Sequence, residues 1–304
     1  MATQMIRLGT RGSQLAMWQS TWIAQQLEAQ GIEVQLIKIQ TEGDIQSGPL
    51  AQIGGQGLFT KKIQQALLEN QIDLAVHSLK DLPTRTDPRL TIAAVPVRES
   101  PLDALVSNSA KCLKDLPEKS VIGTGSVRRV AQLKHLRSDL VIRDIRGNID
   151  TRIGKLDAGE FDAIILASAG LRRLTLSNRI TYEFQIDEMA PAVGQGALGL
   201  ETRQSDSQTQ KLIKPLNDDT SFYRVSAERS LLQTLNAGCM APVAAWTEQS
   251  GDQLSLAGFV LSVDGTEKIH WQETLPLDQA IALGNLVGEK LLTLGAARFL
   301  EHGR

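Results

Sequence analysis

Cysteine is scarce in this chain, with two in 304 residues, Cys112 and Cys239. They lie far apart and match neither zinc-ligand nor redox spacing, so no metal site is expected. A disulfide between them is not expected in a chain with no visible export signal. Histidine is sparse too: there are four, none near Cys239 in sequence. No apolar run approaches the length a membrane span needs, and no membrane association is expected. The start, "MATQMIRLGT", has no basic stretch followed by an apolar one, so no secretory leader is expected. The expected location is the cytoplasm, or a plastid if a transit peptide has been removed. Charge of one sign is also missing, since 32 Lys and Arg oppose 34 Asp and Glu. That balance argues against a general nucleic-acid binder, which needs a strongly basic domain. No Gly-Lys-Ser/Thr follows the glycines of "TEGDIQSGPLAQIGGQGLFTKK", so a P-loop is excluded.

What is present is a strand–helix rhythm. "MIRLG" reads as a strand; the helix after it opens at Ser13, a good N-cap, and carries Leu15, Trp18, Trp22 and Leu27 on one face. Gly31 ends the helix, "EVQLIKI" is the next strand, and another buried strand runs to about Val76. After about residue 100 the rhythm restarts in "SVIGTGSVRRVAQLKHL", "DLVIRDIRGNIDTRIGKLDAG" and "EFDAIILASAGLRRL". "VPVRESPLDAL" joins the two blocks, and "EMAPAVGQGALGLE" leaves the second, with an apolar end suited to return as a strand to the first. Two α/β lobes crossed twice by the chain predict a periplasmic-binding-protein-like pair with a hinged cleft. From about residue 219 the pattern changes to one helix, three strands separated at Ser250-Gly251-Asp252 and Asp264-Gly265, and a last helix from near Asp278. Ala280, Leu283, Val287, Leu291 and Leu294 form that helix's apolar stripe. The expected domains are 1–97 plus 197–216, 101–191, and a small α+β domain over 219–304 with a three-stranded antiparallel sheet.

Polar residues gather where strands end. Arg11 and Ser13 follow the first strand; His77, Ser78, Lys80 and Asp81 follow another. Thr124, Ser126, Arg128 and Arg129 open the second block, followed by Arg146, Asn148 and Arg152, and then by Arg172 and Arg173. Ligands of open α/β sheets bind outside the carboxyl ends of the strands. Arginine suits carboxylates because its planar fork donates paired hydrogen bonds. The series therefore points to a ligand with several anionic groups, although Asp144, Asp150 and Asp157 are placed to neutralise part of it. Asp81 has two readings: a carboxylate stabilising positive charge that develops on substrate, or a turn residue ahead of Pro83. Cys239, in the plain loop "LNAGCMAPVAAW", reads as nucleophile, ligand, attachment point or inert thiol; Cys112 reads as inert. The glycine-rich segment around residues 41–62 has the length and composition of a lid.

"TRGSQLAMWQ", "GGQGLFTK", "AVHSLKDLP", "GTGSVRR", "RGNIDTR", "DAIILASAGLRRL", "PAVGQGALG" and "AGCMAPVAA" follow the order and spacing of the porphobilinogen deaminase (hydroxymethylbilane synthase) family, which the chain resembles end to end. The resemblance implies a dipyrromethane cofactor on a thioether to Cys239, built from the substrate itself. It implies that four porphobilinogen units are joined head to tail with loss of ammonia, and that the tetrapyrrole hydroxymethylbilane is then released by hydrolysis. By motif match, Ser78, Lys80, Asp81, Thr124, Ser126, Arg128 and Arg129 would hold the cofactor. Arg11, Ser13, Gln19, Arg146, Arg152 and Arg173 would hold substrate or the growing chain. Asp81 would face the pyrrole nitrogens and stabilise the cationic methylene-pyrrolenine formed as ammonia leaves. The family is monomeric, passes its product to uroporphyrinogen-III synthase, and serves haem or chlorophyll synthesis. Gln56 stands where many family members carry lysine, and Gln52 where some carry a second, so no cationic lid role is carried over; Lys61, nearby, would be the residue to compensate. Two rival readings are a carboxylate-binding solute receptor or regulator, which shares the two-lobe plan, and a cysteine hydrolase, which would need a partner such as His77.

Overall fold

The structure is a computed structural model that describes residues 5–39, 60–85, 87–238 and 240–300. Most of the glycine-rich segment, with Gln52 and Gln56, and also Cys239 lie outside the described residues. The elements run β1 (Met5–Thr10), α1 (Gln14–Glu28), β2 (Glu33–Lys38), α2 (Lys61–Leu68), β3 (Leu74–Ser78) and β4 (Leu90–Ala94). Next come β5 (Asp103–Ser107), β6 (Val121–Gly123), α3 (Val127–Leu136), β7 (Val141–Arg143), α4 (Ile149–Asp157), β8 (Ala163–Ala167), α5 (Ser168–Arg173) and β9 (Tyr182–Glu183). The chain ends with β10 (Leu198–Arg203), α6 (Ser207–Ile213), α7 (Asp219–Thr234), β11 (Val243–Ser250), β12 (Gln253–Leu261), β13 (Lys268–Pro276), α8 (Ala280–Thr293) and α9 (Ala297–Leu300). It divides into two compact units, Met1–Arg98 with Ala197–Phe222, and Glu99–Gly196 with Tyr223–Arg304.

The first unit is a five-stranded sheet in the order β2-β1-β3-β10-β4. β1 is parallel to β2 and β3, while the returning β10 is antiparallel to both β3 and β4. The strand expected to come back from the second block is therefore β10, and it lies inside the sheet. Side chains alternate across a strand, so Leu8, Leu74, Val76 and Leu200 meet Ile23 and Leu27 of α1 on one face. Ala75 meets Ile63 and Leu67 of α2 on the other. Ser13 caps α1 by accepting from the Ala16 N–H at 3.4 Å, as its sequence position predicts. The expected apolar stripe needs correction. The buried face of α1 is Gln19, Ser20, Ile23, Ala24 and Leu27, while Trp18 is 36% exposed and stacks flat on Trp22. Hydropathy discards Gln19, but its amide finds a partner in Ser78, 2.9 Å away, and so can be buried.

In the second unit a second sheet has the order β7-β6-β8-β5-β9, with β6 parallel to β7 and β8 and β5 antiparallel to its neighbours. The plan matches the first sheet position for position, with the antiparallel strand fourth in each. β5 starts inside the stretch expected to be a connector, and it is buried throughout. Leu105, Ile122 and Ile165 face Leu133, Phe184 and Met189; Val106, Ile164 and Leu166 face Ile153, Leu156 and Leu171.

The same unit contains the three-stranded antiparallel sheet β11-β12-β13, with α7 and α8 against its inner face. Gly251 and Gly265 turn its hairpins with φ of 57° and 76°, a region that favours glycine. Leu294, expected in the stripe of α8, lies beyond the helix end and is 48% exposed. Pro191 accepts from the Ala245 N–H, Glu228 from the Gly194 N–H, and His135 Nδ1 donates to the Gly265 carbonyl, so this sheet is tied to the second one.

Two glycines give opposite expectations. A methyl group at Gly284 of α8 would fall against the Ala227 carbonyl and Ser230 of α7. Gly284→Ala is therefore expected to cost about 1–3 kcal/mol by forcing the helices apart. Gly154 of α4 has open space around its Cα, and Gly154→Ala is expected to gain about 0.5–1 kcal/mol from helix propensity. Thermal unfolding of the two variants against the parent checks both signs.

Candidate active site

In the first unit β1 and β3 are parallel, so Arg11 and the turn Leu79–Asp81 leave the sheet at the same edge. Ser78 ends β3 and is held by Gln19, whose Nε2 donates to the Ser78 Oγ at 2.9 Å. Gln19 is itself buried, so the atom it fixes is the Ser78 hydroxyl. Ser13 is occupied in part by its capping bond. Lys80 and Arg11 are half-buried, and Asp81 is exposed. The Asp81 carboxylate makes no hydrogen bond among the described residues and caps nothing there; the residue lies in the turn Leu79–Asp81, just ahead of Pro83. His77 does not project from this edge. It lies within β3, buried, with Nε2 2.9 Å from Glu201 Oε2, and Gln64 donates to the other Glu201 oxygen. A histidine engaged in that way is poorly placed to serve as a general base for a cysteine.

In the second unit β6, β7 and β8 are parallel, and their following segments bring Thr124, Ser126, Arg128 and Arg129, then Arg146 and Arg152, then Arg173, to one edge. Ser126 precedes α3 without using its side chain as a cap, and its N–H donates to Thr124 Oγ1 at 3.3 Å. Arg128 and Arg129 are buried at 4% and 6% exposure, against the wholly buried Asp103 of β5. Arg128 Nη1 reaches Asp103 Oδ2 at 2.7 Å and the Ala190 carbonyl. Arg129 places Nε and Nη2 on Asp103 Oδ1, and Nη1 on the Ile165 carbonyl. Gln195 also donates to Asp103 Oδ1, at 3.0 Å. Burial alone pushes the Asp103 carboxyl up. The charges of Arg128 and Arg129, with the hydrogen bonds, more than reverse that, and the group titrates well below the usual carboxylate range. Among the described residues, Asp103 is the acid that pairs with both Arg128 and Arg129. Arg128 Nε and Nη2 make no hydrogen bond among the described residues.

Arg173, 8% exposed, donates Nη2 to the Gly196 carbonyl at 2.6 Å. Burial pulls its guanidinium down to about 10, with Glu99 opposing. Arg146 Nε donates to Asp144 at 2.7 Å, and Arg152 Nε to the Gly147 carbonyl at 2.8 Å. Of the three acids expected to neutralise part of the cluster, Asp144 pairs with Arg146, Asp157 pairs with Arg179, and Asp150 makes no ion pair among the described residues. Arg172 is bound by Glu99 and Glu183 and stands apart. Asp103 is the residue the sequence reading passed over; an acid at the head of the apolar run "DALVS" was its signal, since an acid inside a sheet requires a cation. The donor set is hydroxyls and guanidinium groups with a surplus of positive charge, which fits a ligand bearing several carboxylates, as a dipyrromethane does. No cluster of His, Cys, Asp and Glu suited to a metal occurs among the described residues.

Comparison with known proteins gives concordant matches. The family model "Porphobilinogen deaminase, dipyromethane cofactor binding domain" matches residues 6–211, and "Porphobilinogen deaminase, C-terminal domain" matches residues 222–293. A porphobilinogen deaminase of Maridesulfovibrio salexigens is 46% identical over 299 residues, covering 97% of each chain. One of Syntrophotalea carbinolica is 46% identical over 303 residues, 99% of this chain and 96% of that one. Among solved structures, a putative methionine-binding lipoprotein of Bacillus subtilis aligns with a TM-score of 0.46 at 14% identity, over 70% of this chain and 90% of that chain.

Asp103→Asn removes the charge that balances Arg128 and Arg129, and it is expected to cost about 3–5 kcal/mol. A carboxyl whose folded pKa lies below its unfolded value contributes stability that is complete above about pH 4. That contribution is lost as the pH falls further, through the folded pKa. The parent should therefore lose stability on acidification below about pH 4 more steeply than the variant, as measured by chemical denaturation at a series of pH values.

Proposed function

This chain belongs to the porphobilinogen deaminase family, and we propose that it divides its reaction among three groups of residues: a tether, a set of carboxylate holders and one catalytic acid. It joins porphobilinogen units head to tail, releases ammonia at each addition, and yields the linear tetrapyrrole hydroxymethylbilane. Cys239 is the tether. In sequence it falls between α7 and β11, among the small residues of "LNAGCMAPVAAW". When bound there, the dipyrromethane supplies the pyrrole end that is extended.

Thr124, Ser126, Arg128 and Arg129, with Ser78 and Lys80, hold the acetate and propionate groups of that primer. Of the two adjacent arginines, Arg128 is the better donor, because its Nε and Nη2 are not committed among the described residues while Arg129 places Nε and both Nη on the protein. Arg11, Ser13, Arg146, Arg152 and Arg173 hold the incoming or growing chain, and Gln19 acts through Ser78. Asp81 is the catalytic residue. As ammonia leaves, positive charge develops over the pyrrole ring, and a carboxylate already in place lowers the barrier without reorganising. The observation that carries this assignment is that Asp81 is exposed at the edge shared with Arg11 and is free of any hydrogen bond among the described residues. The domains that perform these tasks are 1–97 with 197–216, 101–191, and 219–304. We place the protein in the cytoplasm as a monomer that hands its product to uroporphyrinogen-III synthase. Among the described residues no helix is long and apolar enough to cross a membrane.

Intact mass under denaturing conditions, followed by peptide mapping, is expected to show an excess of two linked pyrrole units on Cys239. An unmodified cysteine that stays unmodified after incubation with porphobilinogen would sink the tether. Asp81→Ala is expected to lower the rate of ammonia release by on the order of 10²–10³ with an unchanged melting temperature. A variant that turns over normally would remove Asp81 from catalysis.

A further inference from the structure

Asp144 is a second carboxylate at the cationic edge of the second unit, and neither the tether, the holders nor the catalytic acid accounts for it. It follows β7 directly, and its two oxygens face different loops. Oδ2 accepts from Arg146 Nε at 2.7 Å. Oδ1 lies over Gly125, where a Cβ would come within 2.7 Å of it, so a side chain at that position would displace the carboxylate. Gly125 sits between Thr124 and Ser126, and the Thr124 N–H bonds the Arg143 carbonyl at 3.0 Å, so the two loops are already joined beside this contact. One carboxylate thus spans the loop of Thr124 and Ser126 and the guanidinium of Arg146.

The pair is half-exposed, with Arg146 at 39% and Asp144 at 52% of side-chain area. An ion pair so open to water contributes little to stability. Its geometry is more informative. Asp144 takes only the Nε position, and Arg146 Nη1 and Nη2 make no hydrogen bond among the described residues. The Nη1–Nη2 edge is the second of the two forks with which a guanidinium binds a carboxylate side by side. An arginine held at Nε by a fixed acceptor presents that edge in one orientation, and less rotamer freedom is lost when a carboxylate arrives. We propose that Asp144 is a positioning residue that holds Arg146 by Nε and aims its Nη edge at a carboxylate of the substrate or growing chain, in fixed register with the Thr124–Ser126 loop.

The inference rests on the reading of Arg146 as a substrate holder, and the test separates the two. Asp144→Ala removes both charge and acceptor; Asp144→Asn removes the charge but keeps an oxygen able to accept from Nε; Arg146→Ala removes the group being positioned. With the cofactor-loaded enzyme and porphobilinogen, Asp144→Ala is expected to raise KM about three- to fivefold with kcat little changed, and Asp144→Asn to restore most of that loss. Arg146→Ala should be worse than either. If both Asp144 variants lower KM, the carboxylate competes with substrate for Arg146, and positioning is wrong. If both raise KM equally, charge and not placement matters, and positioning is again wrong. If both behave as the parent while Arg146→Ala is impaired, Asp144 is a bystander and only this inference falls. A normal Arg146→Ala would overturn the reading of Arg146 itself, and this inference with it. Melting temperatures of the three variants, expected to match the parent, keep loss of fold from imitating any of these results.

Discussion

The second unit is organised by one buried carboxylate. Two adjacent arginines cannot be drawn into the base of an α/β sheet without compensation, because removing a guanidinium from water is costly unless an anion and hydrogen-bond acceptors receive it. Asp103 meets that demand for Arg128 and Arg129 together and takes the amide of Gln195 as well. β5, the start of α3 and the segment leading to β10 are therefore joined at a single group. One acid between two bases holds the structure together while leaving the site attractive to an anion.

Strand order does the rest of the positioning. Parallel strands send their carboxyl ends in one direction, so residues far apart in sequence meet at an edge with no specific attraction between them. Arg11 and Asp81 share an edge because β1 and β3 are parallel, and Thr124, Arg146 and Arg173 share another because β6, β7 and β8 are. The polar side chains at these edges are then set by short local bonds: Gln19 to Ser78, Asp144 to Arg146, and the Gly196 carbonyl to Arg173.

Much of this was legible in the sequence, and the exceptions have a common cause. The strand–helix alternation, the cap at Ser13, the glycine turns at 251 and 265 and the returning strand β10 all have local signatures, and each is present. The clustering of strand-end cations was legible because it depends only on knowing where strands stop. The misplacements involve polar groups inside and apolar groups outside. Gln19 is buried and Trp18 is not, because a hydrogen bond 59 positions away decides the face of α1. The connector around residue 103 conceals an interior strand, because Asp103 looks like a loop residue until its arginine partners are known. Patterning by hydropathy cannot anticipate a polar residue whose partner is supplied by another element. For Asp81 the sequence left two readings even, and an exposed carboxylate in the turn Leu79–Asp81 fits both.

The fourth position of each sheet is filled by an antiparallel strand, but the two strands stand at opposite places in the chain. In the second sheet that strand is β5, the first of its lobe to be made, and all five strands fall between residues 103 and 183. In the first sheet it is β10, which ends at residue 203, more than a hundred residues after β4. A chain leaving the ribosome from its amino end can thus complete the second sheet while the first still has an open seam between β3, largely buried in the finished sheet, and the half-buried β4. The lobe begun first is the one closed last, and during synthesis its unzipped interior is the stretch most in need of shelter.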